Sequence, residues 1–284
     1  MSDGTSDDSI ERVRERVRDE PRALVQDNPW EALRRFTDAR IALGRVGASL
    51  PTAQVLDFGV AHALARDAVN AAWDVPRLAA DLTPMAGAPI VVRSEAADRR
   101  EYLLRPDRGR VLHPHDVAHD VAHDVTPLRA TDPPVDVVFV LADGLSAVAV
   151  QHHAVPLLAA LLPLLPHGWR LSPPVIATQA RVAIGDDIGE RLGARFVVVL
   201  IGERPGLSAA DSLGAYLTFE PRRGRTDAER NCVSNIRPAG LRFADAARRI
   251  AWLLSAAVDR RLTGVGLADE SDGAPLPPHI LPPR

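Results

Sequence analysis

The chain lacks lysine altogether and has a single cysteine. All 34 basic residues are arginines, which excludes Schiff-base lysine chemistry and a phosphate-binding P-loop that depends on lysine. Cys232 has no second cysteine with which to form an intramolecular disulfide, in keeping with a reducing cytosol. Because Ala, Asp and Pro are also abundant, we interpret the exclusive use of arginine as a base-composition bias without functional meaning.

Long apolar runs, strong net charge and a secretory signal are missing as well. No stretch of 18 or more uncharged apolar residues occurs, so no membrane span is predicted. The net charge of -3 and the pI near 6.3 give no support to nucleic-acid binding. The N-terminus is acidic and polar, unlike a secretory signal. We therefore expect a cytoplasmic globular protein that binds neither nucleic acid nor a membrane.

One apolar segment, Phe196–Ile201, organises the prediction of the fold. Its β-branched residues run directly into Gly-Glu-Arg-Pro-Gly, a pattern typical of a strand buried on both faces of a parallel sheet. The turn places Glu203 and Arg204 just beyond the carboxyl end of that strand, where open α/β sheets bind ligands. These two residues are therefore site candidates, with a surface ion pair as the plainer alternative.

A second strand of the same kind precedes it. The segment Val135–Leu141 predicts a buried strand, and Asp143-Gly144 and Ser146 connect it to a helix over Val148–Leu165. This loop is also of a ligand-binding type. The glycine-rich fingerprint G-x-G-x-x-G is absent from it, so a nicotinamide dinucleotide is not expected.

The remaining segments give a coarser prediction. Short strands are expected near 89–93, 169–177 and 216–220, and an amphipathic helix over 244–262. Residues 102–110 resemble a strand or turn. Asp186 or Asp187 is expected to cap a short helix that ends before Gly193. The segment 227–237 is densely polar around Cys232.

Four regions follow from these patterns. Residues 1–28 form an N-terminal extension with an amphipathic helix at Ile10–Val25, either solvated or used for targeting. Residues 29–130 are expected to be a helical subdomain, with one helix capped by Asn28 and ending at Gly44 and another over 53–72. Residues 131–267 are expected to form a Rossmann-like, mostly parallel α/β sheet flanked by helices. Residues 268–284 form a Pro-rich tail.

The tetrapeptide Val-Ala-His-Asp occurs twice in tandem within His113–Asp124. On a helix, His115, His119 and His123 would lie on one face and could bind a metal. No other ligand cluster completes such a site, so we interpret the repeat as a tolerant surface segment. No metal ligand is assigned.

Five short motifs, in this order, resemble one family. They are Phe36-Thr37-Asp38-Ala39-Arg40-Ile41, Arg45-Val46-Gly47-Ala48-Ser49-Leu50-Pro51, Asp143-Gly144-Leu145-Ser146, Gly202-Glu203-Arg204-Pro205-Gly206-Leu207 and Asn231-Cys232-Val233-Ser234-Asn235-Ile236. Together they resemble the small subunit of ethanolamine ammonia-lyase from about Pro29 to about Leu267. The His-Asp repeat, the acidic N-terminus and the Pro-rich tail depart from the resemblance.

The resemblance implies a carbon–nitrogen lyase that converts ethanolamine to acetaldehyde and ammonia with adenosylcobalamin, through a 5′-deoxyadenosyl radical. It implies a hetero-oligomer whose large subunit, a TIM barrel, carries the substrate and the main catalytic groups. It also implies that Val182, Glu203 and Cys232 contact cobalamin, that no catalytic residue lies in this chain, and that the complex is cytoplasmic or enclosed in a bacterial microcompartment.

Two other functions stay open on the residues alone. The first is a stand-alone α/β enzyme that binds a nucleotide or a phosphosugar, with Asp143, Glu203 and Arg204 around its site. The second is a scaffold subunit without a cofactor. Cys232 has no histidine close in sequence, so without the family its thiol suggests an inert packed side chain.

Overall fold

The computed structural model describes residues 28–114 and 128–272. Their contacts divide the chain into two compact units, Met1–His62 and Ala63–Arg284. The predicted helix at Ile10–Val25, the histidines of the tandem repeat from His115 onward, and most of the Pro-rich tail lie outside the described residues.

The first unit begins with a 3₁₀ helix at Pro29–Phe36, where the Asn28 side chain accepts a hydrogen bond from Trp30 N (2.9 Å). The prediction of the Asn28 cap is therefore confirmed, whereas the predicted continuation of this helix to Gly44 is wrong. Helix α1, Thr52–Asn70, begins in the first unit and continues into the second.

The second unit alternates helices and strands. The further helices are α2 (Val75–Ala86), α3 (Arg99–Leu104), α4 (Ala147–Leu161), α5 (Ile184–Leu192) and α6 (Phe243–Arg260). The strands are β1 (Ile90–Arg93), β2 (Val137–Ala142), β3 (Val175–Thr178), β4 (Phe196–Gly202), β5 (Leu213–Phe219) and β6 (Asn231–Ile236). Short 3₁₀ turns lie at Arg108–Arg110, Leu162–Leu164, Asp227–Glu229 and Gly264–Gly266.

The six strands form one mixed sheet in the order β1-β3-β2-β4-β5-β6. The first four are parallel, and β5 and β6 are added in antiparallel pairs. The mixed α/β class is thus as predicted, and its Rossmann-like description stays a prediction. The strand predicted at 89–93 pairs with β3, so residues assigned to a helical subdomain contribute an edge of the sheet. The bounds of the four predicted regions stay predictions.

Strand β4 is the centre of this sheet because apolar side chains cover it on both sides. All seven of its residues are buried, as the sequence predicted. Helices α4 and α6 pack on the face that carries Phe196, Val198 and Leu200. Helix α5 packs on the face that carries Val197 and Val199. On this same face of the sheet, β6 is less well covered than β4, because Cys232 and Ser234 are exposed there.

Two local predictions differ from the structure, and one strand was not predicted. Residues 102–110 were expected to be a strand or turn, but 102–104 belong to α3, where Asp98 accepts a hydrogen bond from Glu101 N (2.8 Å). Asp186 and Asp187 lie inside the first turn of α5 instead of capping it. The polar segment at Asn231–Ile236 is β6, because its backbone pairs with β5 at the sheet edge.

The segment Ala147–Leu164 is long and apolar enough, by composition, to cross a membrane. In this fold it is α4 with the following 3₁₀ turn, and eight side chains of α4 are buried. Six of these side chains join the core cluster that packs on β2 and β4. The apolar composition is accounted for by packing between the sheet and α6.

Candidate functional site

The carboxyl ends of β2, β3 and β4 meet at one edge of the sheet, together with the start of β5 and the end of β6. In open α/β sheets this edge is where ligands bind, because loops diverge there and expose backbone groups. The sequence placed Asp143 and Glu203 directly after two of these strands. Both residues do lie at this edge.

Asp143 fastens two strand ends to each other. Its buried carboxylate Oδ1 accepts hydrogen bonds from Gly144 N (3.0 Å) and Ala180 N (2.9 Å). Arg99 Nη1 lies 3.5 Å from the other oxygen and donates to Gly144 O at 2.8 Å. Burial raises the pKa of Asp143 to about 6, although the backbone N–H groups and Arg99 oppose the shift. Both oxygens of the Asp143 carboxylate are therefore already paired with groups of the same chain.

Gly144 and Ser146 complete the same turn. Gly144 has a φ of +57°, and a Cβ on it would lie 2.3 Å from Gly202 O, so only glycine fits. Ser146 accepts a hydrogen bond from Ala149 N (3.3 Å) and its hydroxyl donates to Ala210 O (2.9 Å). The groups at this loop are thus engaged in joining β2, β4 and α4.

Among the described residues, only one oxygen of the Glu203 carboxylate accepts hydrogen bonds. Its Oε2 accepts hydrogen bonds from the Ser212 hydroxyl and from Asn235 N (3.3 Å). Its Oε1 lies over Gly214, where an added Cβ would come within 2.9 Å of it. Within the described part of the chain, Oε1 receives no hydrogen bond and Arg204 forms no ion pair. Glu203 therefore has one free acceptor, and the alternative of a surface ion pair with Arg204 does not form.

Cys232 and Tyr216 face each other across β6 and β5. Cys232 is exposed by surface area, but neighbouring atoms desolvate its thiol in part and so raise its pKa. The nearby Glu203 charge adds to the rise, and a hydrogen bond with the Tyr216 hydroxyl opposes it. Burial also raises the pKa of Tyr216, with Cys232 and Glu203 contributing. Both groups are consequently neutral at neutral pH, and the thiol is not activated as a nucleophile.

Val182 lies in the connection between β3 and α5. Its half-buried side chain packs against the same core cluster as Tyr216, on the α5 face of the sheet. The structure thus brings Glu203 and Cys232 together around Tyr216 and places Val182 on the same face. Sequence reasoning missed Tyr216, Ser212 and Gly214 as parts of this site. The strand pattern at 216–220 was visible, but nothing local indicated that β6 pairs with it.

No group of three or more His, Cys, Asp or Glu residues within 28–114 and 128–272 could hold a metal ion. The site is instead an open, partly polar face with a single free carboxylate oxygen, a neutral thiol and a phenol. Nothing in this arrangement pairs a nucleophile with a base. The fold defines a mixed α/β chain, and the site offers a carboxylate oxygen that is free to accept a hydrogen bond.

Comparison with known proteins identifies the family. Residues 27–268 match the family described as "Ethanolamine ammonia-lyase light chain (EutC)". The chain is 56% identical over 254 residues to the ethanolamine ammonia-lyase small subunit of Bradyrhizobium diazoefficiens, covering 88% of this chain and 95% of that protein. It is 52% identical over 256 residues to that of Azotobacter vinelandii, covering 90% and 93%. The chain belongs to the ethanolamine ammonia-lyase small-subunit family, as its motifs indicated.

Proposed function

We propose that this chain helps to hold adenosylcobalamin in an ethanolamine ammonia-lyase complex that converts ethanolamine to acetaldehyde and ammonia. Family membership makes it a subunit of a lyase and implies a large subunit in a hetero-oligomer. Adenosylcobalamin supplies the carbon-centred radical that abstracts hydrogen from the substrate. In our proposal the substrate and the main catalytic groups belong to the large subunit, a TIM barrel.

The free Oε1 of Glu203 is the observation that carries this proposal. A corrin ring is rimmed by amide side chains, which need hydrogen-bond acceptors at a protein surface. Ser212 and Asn235 donate hydrogen bonds to Oε2, whereas Oε1 has no protein donor among the described residues. Oε1 fits in its position because Gly214 has no side chain there. The residues present therefore fit an amide-rimmed ligand.

The other two proposed contacts have smaller roles. Cys232 is exposed on the β6 edge and offers a neutral, weakly polar atom beside Tyr216. Val182 offers main-chain groups and an apolar side chain on the same face. Neither residue moves a proton in this proposal. This chain positions the cofactor and shields it, and it performs none of the bond-breaking steps itself.

A stand-alone enzyme for nucleotides or phosphosugars is the weaker candidate. That function required Asp143, Glu203 and Arg204 to surround one ligand. Asp143 instead accepts hydrogen bonds from its own backbone and contacts Arg99. No observation on the described residues favours this second function.

The decisive experiment measures cobalamin in the complex with the large subunit. The complex should retain adenosylcobalamin, seen as corrin absorbance after gel filtration, and should lose turnover when this chain is left out. A complex that releases cobalamin, or a large subunit with unchanged turnover on its own, would overturn the proposal.

A variant separates cofactor binding from substrate binding. Glu203→Ala should raise the apparent cobalamin constant by about 5- to 100-fold, since losing one hydrogen bond to a charged group costs about 1–3 kcal/mol, and should change the ethanolamine constant much less. Glu270→Ala is the matched control, because this carboxylate only faces Arg260 at the surface (3.6 Å). Equal changes in both constants would contradict a role specific to the cofactor.

We also propose that the complex is cytoplasmic and, more specifically, that it is enclosed in a bacterial microcompartment. Fusion of residues 1–30 to a fluorescent protein in a shell-forming host tests the enclosure. Punctate fluorescence is expected, and a diffuse signal would contradict a targeting role for this segment.

A further inference from the structure

The first unit carries large apolar side chains with no core of its own. No residue between 28 and 60 is buried. Nine large apolar side chains are exposed there, and we call them the N-terminal apolar surface: Trp30, Leu33, Phe36, Val46, Leu50, Val55, Leu56, Phe58 and Val60. Phe36 is 72% exposed, Trp30 65% and Leu56 64%. So many exposed large apolar side chains in one short segment are uncommon in a protein that acts alone.

Few contacts hold this segment in its shape. Arg40 donates to Asp57 O (3.1 Å) and its guanidinium lies 5.7 Å from the centre of the Phe58 ring. Val46 and Ser49 close a tight turn. Ordering the backbone costs about 1–2 kcal/mol per residue, and about 30 residues without buried apolar area have little to offset that cost. The segment therefore needs an external surface against which to pack.

The distribution of exposed apolar residues around α1 indicates how much of the helix circumference an external surface has to contact. Val55, Leu56 and Phe58 project in widely separated directions at 100° per residue, and Val60 adds to the side of Leu56. An ordinary surface helix has a single apolar stripe, whereas a helix that is apolar around most of its circumference is buried. A surface that covers all four side chains has to contact more than one side of this helix.

We propose that the N-terminal apolar surface is the docking site for the large subunit. Family membership as a light chain implies a larger companion chain. Three aromatic side chains and six aliphatic ones would bury on the order of 1,000 Å² on this side alone. That area exceeds one side of a standard interface and matches an obligate one. The arginines beside Phe36 and Phe58 add the residue type that is enriched at interface centres.

Substitution of this surface in the full-length chain tests the proposal. Leu56→Arg and Phe36→Arg should weaken association with the large subunit at least 10-fold, since each places a charge inside an apolar contact. Val265→Arg is the matched control, because Val265 is 88% exposed on a 3₁₀ turn of the second unit and does not belong to the N-terminal apolar surface, so association should be unchanged. Association is measured by sedimentation or by co-elution titration without cobalamin.

Two further measurements keep the outcome interpretable. Leu56→Ala removes apolar area without adding charge, and should give a smaller loss of association in the same direction. In the unmodified complex, backbone amides of residues 28–60 should exchange hydrogen more slowly than in the free chain. Unchanged association together with unchanged exchange would overturn the proposal.

Other occupants of the surface give different results. If a second copy of this chain covers it, Leu56→Arg will convert a dimer of the free chain to a monomer and spare binding of the large subunit. If the chain's own residues cover it, the variant will lower the unfolding temperature of the free chain and spare that binding. Either result overturns the proposal. Because cobalamin is absent from these assays, they do not depend on the proposed cofactor contact.

Discussion

The Ser212 hydroxyl donates a hydrogen bond to Oε2 of Glu203, across the point where β4 ends and β5 begins. The same two residues are joined through the backbone, since Glu203 N donates to Ser212 O at 2.9 Å. The side-chain and backbone bonds together fix the direction of the carboxylate before any ligand arrives. Preorganisation of this kind strengthens binding by reducing the ordering that binding would otherwise require.

Removing the Ser212 hydroxyl should therefore weaken cobalamin binding. In the complex with the large subunit, we expect Ser212→Ala to raise the cobalamin dissociation constant about 5-fold, since one hydrogen bond contributes about 1 kcal/mol. Ser212→Thr keeps the hydroxyl and should restore most of the affinity. In a Glu203→Ala background the Ser212 substitution should have no further effect. Additive losses in the double variant would contradict a role that acts through Glu203.

Adding a methyl group at Gly214 should displace the same carboxylate. The new Cβ would come within 2.9 Å of Glu203 Oε1 and 3.3 Å of the Tyr216 ring. Since the far end of a side chain can move, Gly214→Ala should cost little stability but should weaken cobalamin binding by about 5-fold or more. The control is Gly266→Ala, which meets nothing closer than 3.4 Å. Cobalamin affinity unchanged by Gly214→Ala would contradict the assigned position of Oε1.

The ion pair between Asp186 and Arg230 should be the most sensitive polar contact for stability. Its two hydrogen bonds measure 2.6 and 2.7 Å, and the side chains are 3% and 2% exposed. Arg230→Met leaves a buried carboxylate unpaired, which costs about 3–5 kcal/mol and should lower the unfolding midpoint by about 10 °C. Thermal unfolding followed by circular dichroism measures the change.

The exposed pair of Arg105 and Asp107 provides the comparison. Its atoms lie only 2.7 Å apart, yet both side chains are more than half exposed, so water screens their attraction. Arg105→Met should leave the unfolding midpoint unchanged. The double variant Asp186→Leu, Arg230→Met should regain much of the stability lost in Arg230→Met. Equal losses for the buried and exposed pairs would refute the assigned importance of burial.

Asp143 should make stability fall as pH rises through the acid range. Its pKa is about 6 in the folded chain and about 3.9 when unfolded, so the folded state binds the proton more tightly. The favourable contribution is complete below pH 4 and is lost by about pH 6, a change of about 3 kcal/mol. Denaturant unfolding at pH 4 to 7 should show this in the parent chain.

Asp143→Asn isolates that contribution from the other titrating groups. Its Oδ1 can still accept from Gly144 N and Ala180 N, and only the distant contact with Arg99 is lost. The free energy of unfolding of the parent, minus that of the variant, should fall between pH 4 and pH 6. A difference that is constant with pH, or one that rises, would show that Asp143 is not the group responsible.

Much of the sheet could be predicted because its central strands are apolar along their whole length. The runs at 135–141 and 196–201 predict buried strands, and every residue of the observed strands β2 and β4 is buried. Their following turns placed Asp143 and Glu203 at the ligand-binding edge. Strand β6 escaped prediction because four of its six residues are not buried, and only pairing with β5 makes it a strand.

The sequence by itself determined the family, the α/β class and the two central strands, since these follow from local motifs and apolar runs. Only the tertiary structure decided what Asp143 and Glu203 do, because their partners Ala180, Ser212 and Asn235 come from other loops. It likewise decided that residues 28–60 expose apolar side chains, since the same pattern would suit a buried helical subdomain. Hydrogen-bond partners and burial depend on contacts distant in sequence, which no local pattern encodes.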